Sequence, residues 1–237
     1  MEQYTLSALC ALAGLDAVTQ NAILTHPDQM DAARQLLAQI PDLCQTYKVH
    51  GIPQEVLQDT LADFRFWISP DRVKNAEWLS WHLGFRLFQL GRLQYILRTL
   101  PQGISSELPA GTEVLDVHIP QGNPLTTQNC TQSLQTAVHF FKTYFSSSPK
   151  AFVCKSWLLC PTLREVLDAS AGILQFQSLF TVYGAVGDDS QMYDRVFGCA
   201  QDTPNAQLPR HTRLQKNIAH SLQQGKHFPM CGGYILL

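Results

Sequence analysis

His118 and Asp116 lie in the stretch EVLDVHI (113–119), where an extended strand would place both side chains on one face. An imidazole titrates near neutral pH, so His118 can act as a general base that removes a proton from an acceptor amine. A hydrogen-bonded structural histidine at the end of a strand is the alternative. No second catalytic group is fixed by its spacing from His118.

Arg92 and Gln94 share one face of a second predicted strand, FRLFQLGRLQYIL (85–97). If this strand pairs with 113–119, both side chains lie beside Asp116 and His118. An arginine binds a carboxylate through two parallel hydrogen bonds, which indicates a polar pocket for a carboxylate or an amide. A buried ion pair between Arg92 and Asp116 explains the pattern equally well and would be structural.

Later segments add three candidates for the acceptor side of a site, namely Ser156, Trp157 and Gln177. Ser156 shares a strand face with Cys154, which raises the possibility of a nucleophile activated by His118. The sequence offers neither a nucleophile elbow nor a third orienting residue, so Cys154 is better interpreted as a small core residue. Trp157 fits a core or pocket-wall position.

Tyr183 lies near the end of a long alternating stretch predicted as a strand from Ile173 to about Val186. Leu174, Phe176, Phe180 and Val182 form its apolar face, and Gln177 and Tyr183 lie on the polar face. From that position the phenol of Tyr183 could donate a proton to a leaving thiolate as a general acid.

Composition limits the classes of partner. The chain of 237 residues has 17 Lys and Arg against 19 Asp and Glu, so its charge of -2 favours neither nucleic acid nor a membrane surface. The seven cysteines are scattered and lack the spacing of metal ligands, so no metal is expected. The N-terminus lacks the basic leader of a signal peptide, and no run of about twenty apolar residues follows. We therefore expect a cytoplasmic protein.

The elements that position these residues fall into two parts. Before residue 84 the apolar spacing is helical, and it predicts helices over 30–40, over 53–68 with Pro53 in the first turn, and over 72–83. At Gly84 the period changes to that of strands. The predicted domains are a helical N-terminal domain, 1–83, and an α/β domain, 84–237.

The second part is predicted to contain a β–α–β unit. The strand 113–119 leads to a helix over 128–145, with Thr126 or Thr127 as its N-cap, and then to the strand 151–159. The remaining predicted elements are a loop over 101–112, a short helix opened by Pro161, strands over 173–186 and 192–198, a helix over 212–224 and a final strand GGYILL.

Six segments of this chain together resemble one family of bacterial proteins. The segments are GIPQEVLQDTLADFRFW (51–67), FQLGRLQY (88–95), VHIPQGNPL (117–125), CKSWLLCPTL (154–163), RVFG (195–198) and LPRHTRLQ (208–215). That family pairs a helical N-acyltransferase N-terminal domain with a GNAT-like C-terminal domain. The resemblance covers nearly the whole chain and implies an α/β (α+β) fold, with a mixed β-sheet flanked by helices and preceded by a helical domain.

The resemblance also implies a cofactor site. In GNAT enzymes the pantetheine of acyl-CoA lies where a central strand splays from its neighbour, and the next loop and helix N-terminus bind the pyrophosphate. The equivalent loop here, 120–127, would bind acetyl-CoA or another acyl-CoA. The implied cofactor-binding residues are Ile119, Gln121, Gly122, Asn123, Leu125, Thr126 and Thr127.

The loop departs from the family pattern. GNAT enzymes carry Gln/Arg-x-x-Gly-x-Gly/Ala at this place, whereas PQGNPL (120–125) has one glycine and two prolines that lack an N–H group. Fewer amide donors are therefore available to a pyrophosphate here than in the family pattern.

Two functional hypotheses follow. In the first, the protein is a CoA-dependent N-acyltransferase in which an amine of a small molecule or peptide attacks the thioester directly, with His118 and Tyr183 as catalytic residues. In the second, it is a degenerate GNAT-like module that binds a small metabolite. A further expectation is a homodimer formed through Trp67, Trp78 and Trp81, should these side chains be exposed.

Overall fold

A computed structural model describes residues 4–237 of the chain. The α-helices in this range are α1 (Leu6–Leu12), α2 (Ala17–Thr25), α3 (Asp31–Leu37), α4 (Ile40–Val49), α5 (Gln54–Leu61), α6 (Phe64–Trp67), α7 (Ala76–Leu83), α8 (Thr127–Phe145), α9 (Gly172–Gln177), α10 (Ser190–Met192) and α11 (Arg213–Gln223). The strands are β1 (Ile68–Ser69), β2 (Arg72–Val73), β3 (Leu87–Leu90), β4 (Leu93–Thr99), β5 (Glu113–His118), β6 (Ala151–Ser156), β7 (Thr181–Ala185) and β8 (Cys231–Leu236).

The main sheet is mixed and has six strands within the described residues, in the order β3-β4-β5-β6-β8-β7. Its β5–β6 pair is parallel, while β3–β4, β6–β8 and β7–β8 are antiparallel. The fold is therefore α/β with a mixed sheet and a helical N-terminal part, as the sequence predicts.

The described chain divides into two compact units. The first unit extends to Leu97 and includes Ile119–Asn123 and Gln132–Ser148. The second unit comprises Arg98–His118, Pro124–Thr131 and Pro149–Leu237. The domain boundary expected at 83/84 stays a prediction.

The first unit has an aromatic core. Phe88 on β3 lies with its ring centroid 5.8 Å from Phe141 and 5.3 Å from Phe145 on α8. On the helical side, Tyr47 of α4 packs 5.3 Å from Phe85 in an edge-to-face arrangement. Such ring pairs contribute about 0.5–1.5 kcal/mol beyond the burial of their area.

Helix α8 is joined to the β3–β4 hairpin by one hydroxyl. Ser133 Oγ accepts from Leu93 N at 3.1 Å, donates to the carbonyl of Leu90, and lies 2.8 Å from the hydroxyl of Tyr95. Between these strands Gly91 has φ 74°, the conformation that a glycine-first two-residue hairpin turn needs. The hydroxyl therefore satisfies backbone groups at both sides of the turn.

This hairpin corrects the prediction of one strand over 85–97. The chain reverses at Gly91 and Arg92, so Arg92 lies in a turn while Gln94 lies in β4. The predicted helix 53–68 is divided into α5 and α6, and the helix predicted over 30–40 is α3, which ends at Leu37. In the region 72–83 only 76–83 is helical, because 72–73 forms the strand β2.

Two predicted strands are wrong. The segment expected as one strand from Ile173 to Val186 begins as helix α9 and becomes β7 only at Thr181. Its apolar residues 176 and 180 fit a helical repeat as well as a strand repeat, which is why the alternation misled. The segment 192–198 is also helical, since α10 continues into a π-helical turn, Tyr193–Phe197.

The predicted β–α–β unit is confirmed. Strand β5, helix α8 and strand β6 follow in order, and β5 pairs with β6 in parallel. The predicted helix over 212–224 is α11, which opens with a capping box formed by Thr212 and Gln215. The closing strand is β8. Within residues 4–237, every helix is too short or too polar to cross a bilayer.

Candidate functional site

The site is built around the place where β5 and β6 separate. Their parallel ladder runs from Val114 opposite Ala151 to Asp116 opposite Val153. Beyond this pair β5 continues to His118 and β6 to Ser156, without further pairing between the two strands. The second unit therefore contains a gap at the carboxyl ends of two adjacent parallel strands, which is a common place for ligands in α/β proteins.

Asp116, at the start of the gap, carries an ion pair. Arg98 Nε lies 3.0 Å from Asp116 Oδ2, and the two side chains are 31% and 15% exposed. His118 Nε2 lies 3.9 Å from the same carboxylate oxygen, with 25% of its side chain exposed. Strand β5 thus presents a partly exposed imidazole, whose Nε2 is itself buried, beside a carboxylate whose charge Arg98 balances.

Arg98 was missed by sequence reasoning, which assigned the ion pair to Arg92. The carboxylate of Asp116 is paired with Arg98 instead. The two-residue turn at Gly91 starts the new strand β4. Near the end of β4, the side chain of Arg98 contacts Asp116. A glycine followed by one polar residue between two apolar runs is a hairpin signal that could have revealed this.

Tyr183 lies in the second unit on the edge strand β7. The register of β7 with β8 shifts between Val182 and Gly184, so Tyr183 is the extra residue of a bulge. Its ring lies directly over Gly232 of β8, where a Cβ atom would overlap it. Tyr183 also stacks on Tyr234, with centroids 6.4 Å apart and planes at 28°.

The phenol of Tyr183 is a neutral donor at physiological pH. Burial raises its pKa above the ordinary value, and although Arg98 lowers it, Asp116 and Cys154 raise it further. The predicted role as a general acid requires this protonation state. The role itself stays a prediction.

The N-terminus of helix α8 lies in the second unit. Thr126 is its N-cap: Asn129 N donates to Thr126 Oγ at 3.2 Å and Cys130 N to the Thr126 carbonyl at 3.0 Å. Among residues 4–237 no acceptor bonds the amides of Thr127 and Gln128, which are exposed. A long helix with two free amides in its first turn can bind an anion.

The loop before α8 is supported from α9. A Cβ on Gly172 would lie 2.8 Å from the carbonyl oxygen of Leu125, so only glycine allows this approach of the two backbones. Thr127 Oγ donates to Gln175 Oε1 at 3.3 Å. These contacts position Leu125, Thr126 and Thr127, three of the residues that were expected to bind cofactor.

The first half of the loop belongs to the first unit. Arg92 Nη1 donates to the Pro120 carbonyl at 3.0 Å, so Arg92 positions this segment. Gln121, Gly122 and Asn123 are exposed, and Gly122 has φ 133°, where L-residues are strained. Ile119 is half-buried.

Ser156 and Trp157 are buried at the end of β6. Ser156 Oγ accepts from Leu158 N at 3.2 Å and caps a short 3₁₀ turn. Trp157 N donates to Gln191 Oε1 at 2.8 Å, and its side chain is 7% exposed. Both residues border the gap, and the hydroxyl of Ser156 is engaged in capping.

Gln177 does not lie on a strand, as sequence reasoning predicted, whereas Gln94 lies on a strand next to β5. Gln177 is in helix α9, 1% exposed, and its side chain bonds the carbonyl of Cys160 at 2.9 Å and Arg164 Nε at 2.7 Å. Gln94 is fully buried in β4, with Nε2 donating to Gln89 Oε1 at 3.2 Å. Gln177 thus holds the turn after β6. The reason for placing it on the acceptor side, its position on the polar face of a predicted strand, no longer applies.

Cys154 has the environment of a core thiol. It is 1% exposed, and burial first and Asp116 second raise its pKa far above the ordinary value. The thiol is therefore protonated at neutral pH, opposite to an activated nucleophile. Within the described residues there is also no group of three or more His, Cys, Asp or Glu side chains suited to a metal ion.

A parallel β–α–β unit whose strands stop pairing before their carboxyl ends is a feature of α/β proteins, and ligands commonly bind at such places. The family model of the GNAT-like C-terminal domain matches residues 87–235, more than half of the chain. The chain belongs to this family, which confirms the resemblance found in its sequence.

Solved structures extend the comparison. An acyltransferase in complex with decanoyl-CoA and teicoplanin matches with a TM-score of 0.73 and 28% identity, over 86% of this chain and 65% of that chain. This chain thus spans less than two thirds of that protein's length. Two further acyltransferase structures, a variant with octanoyl-CoA and one with decanoyl-CoA, match with a TM-score of 0.75 and 24% identity, over 97% of this chain and 78% of theirs. At that identity they show the fold alone. A comparison with curated proteins gave no match.

Proposed function

We propose that this protein is an acyl-CoA-dependent N-acyltransferase that transfers an acyl group to an amine of a small molecule or peptide. The observation that carries the proposal is the separation of β5 and β6 beyond Asp116 and Val153, with a partly exposed His118 on β5. A cleft of this kind can admit a narrow thioester-bearing chain between two strands. Membership of the GNAT-like family makes acyl-CoA the first choice for that chain.

The similar structures support the choice of co-substrate. They contain decanoyl-CoA or octanoyl-CoA, and the acyltransferase with 28% identity also contains teicoplanin. By analogy, acyl-CoA is the proposed donor and a small-molecule or peptide amine the proposed acceptor. Acyl chains longer than acetyl are the first donors to test.

The first turn of α8 is the proposed pyrophosphate site. Its free amides at Thr127 and Gln128 and the positive end of the helix dipole favour an anion. Thr126, which caps the helix, and Leu125, which packs against Gly172, hold this turn. The exposed Gln121, Gly122 and Asn123 and the half-buried Ile119 remain proposed cofactor contacts.

The proposed chemistry is a direct transfer. His118 takes a proton from the acceptor ammonium group, the freed amine attacks the thioester carbonyl, the C–N bond forms and the C–S bond breaks. Tyr183 gives its proton to the departing thiolate of CoA, and the extra proton on the nitrogen of the new amide returns to Tyr183 through solvent. No acyl-enzyme is formed, consistent with a Cys154 thiol that is buried and protonated. Holding both substrates together supplies much of the rate.

Thermal unfolding with acetyl-CoA, octanoyl-CoA, decanoyl-CoA and free CoA tests donor binding. A ligand at a hundredfold excess over Kd stabilises the folded state by about 2.7 kcal/mol. Transfer is then measured by mass spectrometry of the acceptor, because seven cysteines would complicate a thiol assay. Binding of acyl-CoA together with amide formation is expected. Binding without transfer to any amine would favour the degenerate metabolite-binding module.

Two matched glycine variants test whether the loop 120–127 binds the cofactor. Gly122→Val and Gly111→Val both place a side chain at a positive φ, 133° and 86°, and a Cβ at either position has no neighbour within 4 Å. Both variants therefore cost similar backbone strain. Only Gly122→Val is expected to weaken acyl-CoA binding, and an equal loss in both would remove the loop from the cofactor site.

A further inference from the structure

One face of the sheet in the second unit is covered at one end and open at the other. Val114, Ala151 and Val153 lie under Leu100 and Leu108 of the preceding segment, with Ile104 and Tyr234 packed against this cluster. Strand alternation places Asp116 and His118 on the same face as Val114, and Lys155 on the same face as Val153. Lys155 is exposed, so the open part begins where the apolar cluster ends.

Arg98 is oriented by Asp116 on this open part. Its Nε lies 3.0 Å from the carboxylate as an ion pair without hydrogen-bond geometry, and among residues 4–237 no hydrogen bond from its terminal nitrogens is found. With 31% of its side chain exposed, the guanidinium offers the end of its fork to a ligand. That fork matches the two oxygens of a carboxylate.

Lys155 and Tyr183 add donors beside Arg98. Lys155 of β6 is directly opposite Gly232 of β8, and the ring of Tyr183 lies over that same glycine. The bulge in β7 brings the phenol across the neighbouring strand, toward β6. Adjacent strands are about 4.8 Å apart, so the side chain of Lys155 starts beside the ring of Tyr183 on the same face of the sheet.

The charge balance of this face favours an anion. Arg98 and Lys155 bring two positive charges, and Asp116 brings one negative charge that Arg98 already balances. Donors therefore exceed free acceptors. The chemistry fits a carboxylate or a phosphate, and the first turn of α8 already offers a separate place for the phosphates of a cofactor.

We propose that the acceptor is an amine that carries a carboxylate, as in an amino acid or a peptide, and that Arg98 and Lys155 bind this carboxylate while His118 faces the amine. The inference rests on the proposed function. It assigns the substrate class and two specificity residues, neither of which the sequence predicted.

Matched acceptors test the proposal. Amino acids are compared with their carboxamides, which keep the amine and lose the negative charge, using a donor acyl-CoA that stabilises the protein. Wild-type protein should prefer the acid by roughly tenfold to a hundredfold in kcat/KM, as expected for hydrogen bonds to a charged group. Equal rates for acid and amide would overturn the inference while leaving the proposed function intact.

Single substitutions test which residues bind the carboxylate of the acceptor. Arg98→Gln and Lys155→Gln should each raise KM for the acid and leave KM for its amide and for acyl-CoA unchanged. Lys150→Gln, at an exposed lysine just before β6, is the control and should change neither. Because Arg98→Gln leaves Asp116 without its partner, Lys155→Gln serves as the variant that preserves the ion pair. A rise in KM for acyl-CoA in either variant would assign these donors to cofactor phosphate and overturn the inference.

Discussion

Each unit contains an aspartate beside a histidine, in opposite settings. In the first unit Asp63 accepts from Trp67 Nε1 at 2.9 Å and Trp78 Nε1 at 2.8 Å, and lies 3.2 Å from His82 Nε2. His82 is fully buried, and its Nδ1 faces the Trp78 carbonyl at 2.9 Å. In the second unit Asp116 Oδ2 lies 3.0 Å from Arg98 Nε and 3.9 Å from His118 Nε2, and the side chain of His118 is 25% exposed.

The difference shows what separates a structural pair from a site. Asp63 is surrounded by donors on its own unit, and both nitrogens of His82 face acceptors, so no group is left for a ligand. His118 keeps an exposed ring beside a gap in the sheet. Residue types alone do not distinguish the two pairs. Burial of the histidine does.

Asp63→Asn should produce the largest effect on folding. Replacing the carboxylate leaves His82 buried without its counter-charge, and breaking a buried pair costs about 3–5 kcal/mol. Urea unfolding measures the loss, with Asp59→Asn on the exposed side of the preceding helix as the control. A loss of less than about 1 kcal/mol in the free energy of unfolding would show that Asp63 and His82 do not form the structural pair described here.

His118→Gln should leave folding intact and remove activity. A positioned general base contributes at least about a hundredfold, or about 2.7 kcal/mol of activation free energy. The measurement is kcat/KM for acyl transfer to an amine, together with urea unfolding. Unchanged activity, or a loss of stability as large as in Asp63→Asn, would remove the contrast between the two histidines.

A fall in pH should weaken the pair of Asp63 and His82. Burial alone would raise the pKa of Asp63, but hydrogen bonds from His82 and Trp78, the charge of His82 and the bond from Trp67 together lower it below 3.8. The stabilisation that Asp63 contributes is therefore fully present above the pKa that this residue has in the unfolded chain. It is lost as the pH falls from that pKa through the lower pKa in the folded protein, at about 1.4 kcal/mol for each pH unit between these two pKa values. Unfolding free energies from pH 6 to pH 3 should fall less steeply in Asp63→Asn than in wild type. Parallel curves would contradict this.

Tyr183→Phe should have the smallest effect on stability. The side chain is 38% exposed, and surface substitutions usually stay within about 0.5 kcal/mol. Loss of the donor should lower kcat by roughly tenfold if the phenol protonates the leaving thiolate. Because Phe keeps the ring over Gly232, an unchanged kcat would limit Tyr183 to a packing role.

Elements with one dominant signal were predictable from the sequence. Helix α8 has a long apolar face and a threonine N-cap, and β5 and β6 are apolar runs on either side of it, so the β–α–β unit and the places of Asp116 and His118 followed. Short elements were not predictable. The apolar residues of α9 suit both a strand and a helix, so Gln177 was placed on the wrong kind of element.

Contacts between residues far apart in the chain could not be predicted from the sequence. Arg98 of β4 pairs with Asp116 of the neighbouring strand β5, and Tyr183 reaches Gly232 because of a bulge. Neither is encoded by local periodicity. The structural role of Asp63 depends on donors that lie up to 19 residues further along the chain.

The distribution of tryptophan has a practical consequence for spectroscopy. Trp67, Trp78 and Trp81 belong to the first unit, with Trp78 between the other two at centroid distances of 6.1 Å and 5.3 Å, and only Trp157 belongs to the second. Intrinsic fluorescence will therefore report mainly on the first unit, whereas Trp157, at the end of β6, should report on ligands that enter the gap. A Trp157→Phe variant would separate the two signals, so that one protein sample yields distinct optical readouts for unfolding and for occupancy.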